Sequence, residues 1–192
     1  MSSDTTIIGI GTARGGTQSL AHWLSEQGLG VGHEETWSLD WRREVREERY
    51  GWNKRRLQDW DGDVACWLTQ AAGDLLSDLP EARCVAMLRP QEDVVESLME
   101  TMPPHRIRDG RMFSGLPFPN YKEGSTEEAW ARYWEDYCVK TRRLKEFYPS
   151  RVIRVPLYKL EDEDTQRKVA DFLEIEDPQI LDQCHKGKRS ER

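Results

Sequence analysis

The sequence predicts an α/β domain of three layers, α/β/α, around a central, mostly parallel sheet. Two observations carry this. Short apolar runs at residues 5–10, 29–31, 83–88 and 152–157 alternate with helical patterns at 17–27, 64–79, 91–101 and 126–147. Strands separated by helices must cross over in parallel, which covers both faces of the sheet. The second is that the first and third runs each end in a loop bearing an arginine just before a helix. Ligands in such sheets sit at the carboxyl ends of the strands. The 192 residues suit a single domain spanning 1–192, with enough chain to bury a core.

The first run leads into Gly11-Thr12-Ala13-Arg14-Gly15-Gly16-Thr17-Gln18. Glycines let the backbone approach an anion, and the amide groups and positive dipole end of the following helix point at it. Gly11 and Gly16 have the spacing of a nucleoside-triphosphate P-loop, but Thr17 stands where that loop needs its lysine. The cation here is Arg14, inside the loop. An ATPase, GTPase or kinase is disfavoured further because no Mg²⁺-binding carboxylate is apparent after an apolar strand.

The second run is followed by Gly32-His33-Glu34-Glu35-Thr36. His33, Glu34 and Glu35 are three candidate proton acceptors, or simply a solvated cap. The mixed charges of 42–49 and 54–56 suggest a solvated helix face. The helix expected at 64–79 stops at Pro80, and the one at 91–101 stops before Pro103. Residues 102–125 read as a long loop, a substrate lid or a disordered stretch, with Arg106, Arg108 and Arg111 among Phe113, Phe118 and Tyr121. In the helix at 126–147, Trp130, Tyr133, Trp134, Tyr137 and Leu144 recur at three- and four-residue steps, a stripe read as core in preference to a ligand cage.

Composition excludes several functions. The net charge of −7 argues against nucleic acid as a partner. Mean hydropathy is low, −0.81, but eight Trp, six Tyr and four Phe offer the large buried surfaces a disordered chain lacks. Cys66, Cys84, Cys138 and Cys184 form no C-x-x-C pair, so no metal site or redox motif is expected, and Cys66 and Cys84 sit among apolar neighbours as core thiols. With no apolar leader or membrane-spanning stretch, a cytoplasmic location and no membrane partner are expected.

The cradle with its internal Arg14, followed by Arg89-Pro90-Gln91-Glu92-Asp93-Val94-Val95-Glu96-Ser97, resembles the sulfotransferase family. The family carries a 5′-phosphosulfate loop after its first strand and a 3′-phosphate motif with this eight-residue Arg-to-Ser spacing. Here proline follows the arginine directly, a departure from the commonest form. The stretch 154–175 is similar to the family's last strand and helix, whereas 38–62 and 102–125 have no match. The resemblance implies a P-loop NTPase-like sulfotransferase fold and sulfuryl transfer from 3′-phosphoadenosine 5′-phosphosulfate (PAPS), leaving adenosine 3′,5′-bisphosphate (PAP), without a metal. It implies Arg14, Gly15, Gly16, Thr17 and Gln18 on the 5′-phosphosulfate and Arg89 with Ser97 on the 3′-phosphate. Similarity to tyrosylprotein sulfotransferases points to Glu35 as the base, and a bacterial His-Glu pattern to Glu34, with His33 a third candidate. Lys186, Gly187 and Lys188 look like the family's basic closing loop, or else form a frayed tail. The acceptor would be a hydroxyl or amine on a small molecule, carbohydrate or peptide. Other readings are a nucleotide-binding protein without turnover and, last, a divergent kinase.

Overall fold

The computed structural model describes residues 5–36, 43–101, 111–112, 116–117 and 124–184. The chain runs β1 (Ile7–Ile10), α1 (Thr17–Glu26), β2 (Val31–His33), α2 (Arg43–Asp59) and β3 (Gly62–Val64). A 3₁₀ turn (Cys66–Gln70), α3 (Ala72–Asp78), β4 (Arg83–Leu88) and α4 (Gln91–Thr101) follow. Then come β5 (Arg111–Met112), β6 (Leu116–Pro117), α5 (Thr126–Phe147), β7 (Val152–Pro156), a second 3₁₀ turn (Leu157–Lys159) and α6 (Glu163–Leu173).

The central sheet has the order β2-β3-β1-β4-β7, and each of its four pairings is parallel. Ile7 lies opposite both Gly62 and Arg83, so the carboxyl ends of β1, β3 and β4 come up side by side. Alternation along the strands divides the core. Ile7, Val64, Val85, Met87 and Val155 face Leu20, Trp23 and Leu24 of α1 and Val169 and Leu173 of α6. Ile8, Ile10, Cys84, Ala86 and Val152 face Leu75 and Leu76 of α3 and Tyr137 and Leu144 of α5. These are the three expected layers. Cys66 and Cys84 are buried as expected, and so are Cys138 and Cys184.

β4 and the helices α4 and α5 fall at the expected boundaries. Other elements differ, and β1 begins at Ile7, two residues after its expected start. The helix expected at 64–79 is split: Val64 closes a strand, a 3₁₀ turn follows, and the α-helix begins only at Ala72. The apolar run from Val64 to Leu68 fits a helix face and a buried strand end equally well, and pairing of β3 with both β1 and β2 decides it. β2 lies two residues beyond its expected start, because the ladder with β3 aligns Val31 with Gly62 and His33 with Val64. Within 102–125, expected to be a loop, β5 and β6 pair antiparallel, Arg111 with Pro117 and Met112 with Leu116; most of that stretch lies outside the described residues.

α5 is fixed at its start by a capping box. The Ser125 hydroxyl accepts from the Glu128 amide at 3.2 Å, and the Glu128 carboxylate accepts from the Ser125 amide at 2.6 Å. Hydrogen bonds to the carboxylate from the Ser125 backbone amide and from the Ser125 side chain hold the Glu128 carboxyl below its ordinary range.

Candidate active site

β1 ends at Ile10 and the chain turns tightly, with the Gly15 amide donating to the Thr12 carbonyl at 2.8 Å. Gly16 follows at φ 98°, a left-handed conformation in which a Cβ would also lie 2.6 Å from Leu157 Cδ1. The left-handed backbone is what calls for glycine here. α1 then starts at Thr17 with no side-chain cap bond from Gly16 and no acidic residue in its first turn. Its amino terminus keeps the donors and dipole that hold an anion. Thr17 is buried while Gln18, one residue on, is exposed.

Arg14 is held over this turn at φ 65°, an uncommon conformation for a side chain of its size. Its Nε donates to Ser97 Oγ of α4 at 3.0 Å. Arg89, at the end of β4, donates from its guanidinium to the Arg14 carbonyl at 2.9 Å and lies 3.8 Å from the Asp93 carboxylate. The two segments singled out in the sequence thus meet. Arg14, Arg89 and Ser97 form one connected group beside the cradle.

The aromatic stripe of α5 is core, as expected, with Trp130, Tyr133 and Tyr137 each at most 5% exposed. It also does what that expectation missed. Tyr133 Oη accepts the Ala13 amide of the cradle at 2.9 Å, and Trp134 Nε1 donates to the Arg89 carbonyl at 2.8 Å. Tyr137 Oη donates to the Met87 carbonyl at 2.7 Å and lies 3.3 Å from the Ile10 carbonyl. The signal available in the sequence was the choice of Tyr and Trp, which bring a polar tip into a core, over Phe and Leu.

On the far side, β2 presents His33, whose Nε2 lies 3.3 Å from Thr17 Oγ1. Glu34 adopts φ 61°, and its amide donates to the Val64 carbonyl at 3.1 Å. Its side chain is exposed by accessible area, yet enough protein surrounds the carboxyl that desolvation raises its pKa above the ordinary value. His33 opposes that rise and Asp63 adds to it. Glu35 goes elsewhere. Its Cγ lies 2.8 Å from where a Gly32 Cβ would stand, beside Trp60 and Asp63, on the opposite face of the strand from His33.

Sequence reasoning missed Asp63. It sits on β3, next to β1, and is 1% exposed, a buried carboxylate on a strand beside the cradle. It is saturated by donors from the turn after β2, including the Thr36 amide at 2.8 Å and hydroxyl at 2.6 Å. That environment suits no cation, and no group of three metal-ligating side chains occurs among the described residues. Lys186, Gly187 and Lys188 lie outside the described residues, as do Arg106, Arg108, Phe113, Phe118 and Tyr121. No described helix is long and apolar enough to cross a membrane.

No family model and no curated protein matches the chain. Among solved structures it is similar to mouse sulfotransferase SULT7A1, crystallised in complex with PAP, at 15% identity and a TM-score of 0.55. The match covers 91% of this chain and 60% of that one, so the chain spans less than two thirds of the structure it resembles. The α/β architecture built around the cradle is a sulfotransferase fold.

Proposed function

We propose that the protein is a sulfotransferase that moves a sulfuryl group from PAPS to a hydroxyl or amine acceptor. The observation that carries this reading is the Arg14–Ser97–Arg89 group: it sets two cations and a hydroxyl beside a cradle that lacks the P-loop lysine. Such a site suits a nucleotide with anionic groups at two separate positions. The cradle fits the donor, since the Gly15–Gly16 turn leaves no side chain between the α1 amino terminus and an incoming anion. Amides of Gly15 to Gln18 and the Thr17 hydroxyl would hold the 5′ side, while Arg89 and Ser97 would take the 3′-phosphate by charge-assisted bonds.

PAPS supplies an activated sulfuryl group whose departure leaves PAP. The protein's share is orientation, charge and one proton. Arg14 would neutralise charge growing on the leaving oxygen, an interaction strongest in the transition state. Glu34 is the favoured acceptor of the substrate's proton, because its raised pKa increases its basicity and it adjoins His33, which contacts the cradle at Thr17. Glu35, over Gly32, is placed less well. The SULT7A1 complex with PAP supports the choice of nucleotide.

The test is calorimetry of the protein with PAP and with ATP plus Mg²⁺, then turnover of PAPS with a panel of phenols, alcohols and amines. PAP binding with acceptor-dependent PAP release is expected. Preference for ATP with Mg²⁺ would overturn the reading in favour of a kinase, and PAP binding without turnover in favour of a silent binder.

A further inference from the structure

Asp63 has no part in the chemistry proposed above, yet it is the one carboxylate in the fully buried class among the described residues. Burying a carboxylate is costly unless its oxygens are occupied by donors. Here the donors come from the turn after β2. Oδ2 accepts the Thr36 amide at 2.8 Å and the Thr36 hydroxyl at 2.6 Å, and Oδ1 accepts the Glu35 amide at 3.3 Å. Thr36 Oγ1 in turn accepts from Trp67 Nε1 at 3.0 Å. Because indole can only donate, the hydroxyl proton is directed at Asp63.

The consequence falls on Glu34. Its own amide is tied to the Val64 carbonyl at 3.1 Å, and the two residues after it are tied to Asp63. Consecutive residues of β3 therefore grip the chain on both sides of a glutamate at φ 61°. A left-handed glutamate persists only where its surroundings over-determine it. We propose that Asp63 is a positioning residue, which through the Asp63–Thr36–Trp67 hydrogen-bond chain fixes Glu34 at the carboxyl edge of the sheet between His33 and the Cys66 turn. The catalytic consequence rests on the sulfotransferase reading; the coupling to Glu34 does not. Among the described residues, the titratable groups that interact with Glu34 include His33 on β2, Asp63 on β3 and Cys66 on the 3₁₀ turn. Burial pushes the Cys66 thiol far up, so it is neutral and Asp63 is the negative neighbour.

The experiment uses the full chain as parent, Asp63→Asn, Thr36→Val and Thr36→Ser. The Glu34 carboxyl is followed by ¹³C NMR and assigned by its loss in Glu34→Gln. In Asp63→Asn it is expected to titrate at lower pH than in the parent, because a negative neighbour is gone. With PAPS and the best acceptor of the panel, kcat should fall about 10- to 100-fold in Asp63→Asn and Thr36→Val, while PAP affinity stays within about twofold. Thr36→Ser, which keeps the hydroxyl, should restore kcat. An unmoved Glu34 titration in Asp63→Asn, or in Thr36→Val, which breaks the chain and keeps the Asp63 charge, overturns the proposal. So does a loss of PAP affinity in step with kcat, which would mark Asp63 as a structural support only. A parent that neither binds PAP nor turns over would instead sink the functional reading, and the carboxyl titration would still decide the coupling.

Discussion

Arg14 Nε and Ser97 Oγ stand 3.0 Å apart, joining residues 83 positions distant in the chain. The bond ties the cation of the cradle to the helix that follows β4. Ser97 is thus shared between Arg14 and the 3′-phosphate proposed for it, and the nucleotide must compete for that hydroxyl. Filling the 3′ subsite would release Arg14 toward the 5′ side.

Ser97→Ala should therefore act differently on two nucleotides. PAP should bind less tightly for want of one charge-assisted bond, about 1.5 to 3 kcal/mol, while adenosine 5′-phosphosulfate, which lacks the 3′-phosphate, should lose no affinity. Calorimetry with both nucleotides checks this. Equal losses for the two would remove Ser97 from the 3′ subsite.

Arg89→Ala should weaken PAP binding by ~2 to 4 kcal/mol, because the 3′-phosphate would lose its cation. The same change removes the bond to the Arg14 carbonyl, so kcat is expected to fall too. Binding and single-turnover measurements separate the two contributions. Unchanged affinity would contradict the assignment.

For Arg14→Ala the balance should reverse. The expected loss is ~2.7 to 4 kcal/mol in kcat/KM, the range for removing one donor to a developing anion, with PAP affinity little changed. A raised KM for PAPS at normal kcat would show a ground-state role instead.

The acid limb of the pH–rate profile should lie above the ordinary carboxylate range of about 4.3. The raised pKa of Glu34 means that it gains its proton, and the rate is lost, at a higher pH than for a free glutamate. Glu34→Gln should cost ~10²- to 10⁴-fold, and Glu35→Gln much less. Full activity in Glu34→Gln with collapse in His33→Asn would transfer the role to the histidine.

Tyr137→Phe probes the frame and not the chemistry. It leaves the Met87 and Ile10 carbonyls without their hydroxyl partner in a buried setting, at a cost of ~1 to 3 kcal/mol. Thermal unfolding should shift down by roughly 2 to 4 °C per kcal/mol for a chain of this size. An unchanged midpoint would show that those carbonyls are satisfied without it.

The cradle was legible because glycine spacing and the apolar run before it are local features, and β4 and α4 were legible because Pro90 and an amphipathic pattern mark their junction. β3 was not. Three residues cannot display a period of two, and Gly62-Asp63-Val64 lies between an acidic turn and an apolar run that mimics a helix. Asp63 was lost with its strand, since its role depends on a turn 27 residues earlier at Thr36. The division of Glu34 from Glu35 was equally hidden. Adjacent residues of the same type are separated only by backbone conformation, here the left-handed Glu34, which no composition or spacing announces.

α5 reaches the cradle through Tyr133, the Arg89 carbonyl through Trp134 and both strand ends through Tyr137. Two loops that are remote in sequence therefore hang from a single rod, within about one helical turn of each other. Their separation is set by the pitch of a helix and is insensitive to the compliance of either loop, so thermal displacements carry both in the same direction. If the proposed function holds, a site built this way would behave as a gauge: it would accept a molecule whose anionic groups are the right distance apart and would not reshape itself around one whose groups are not.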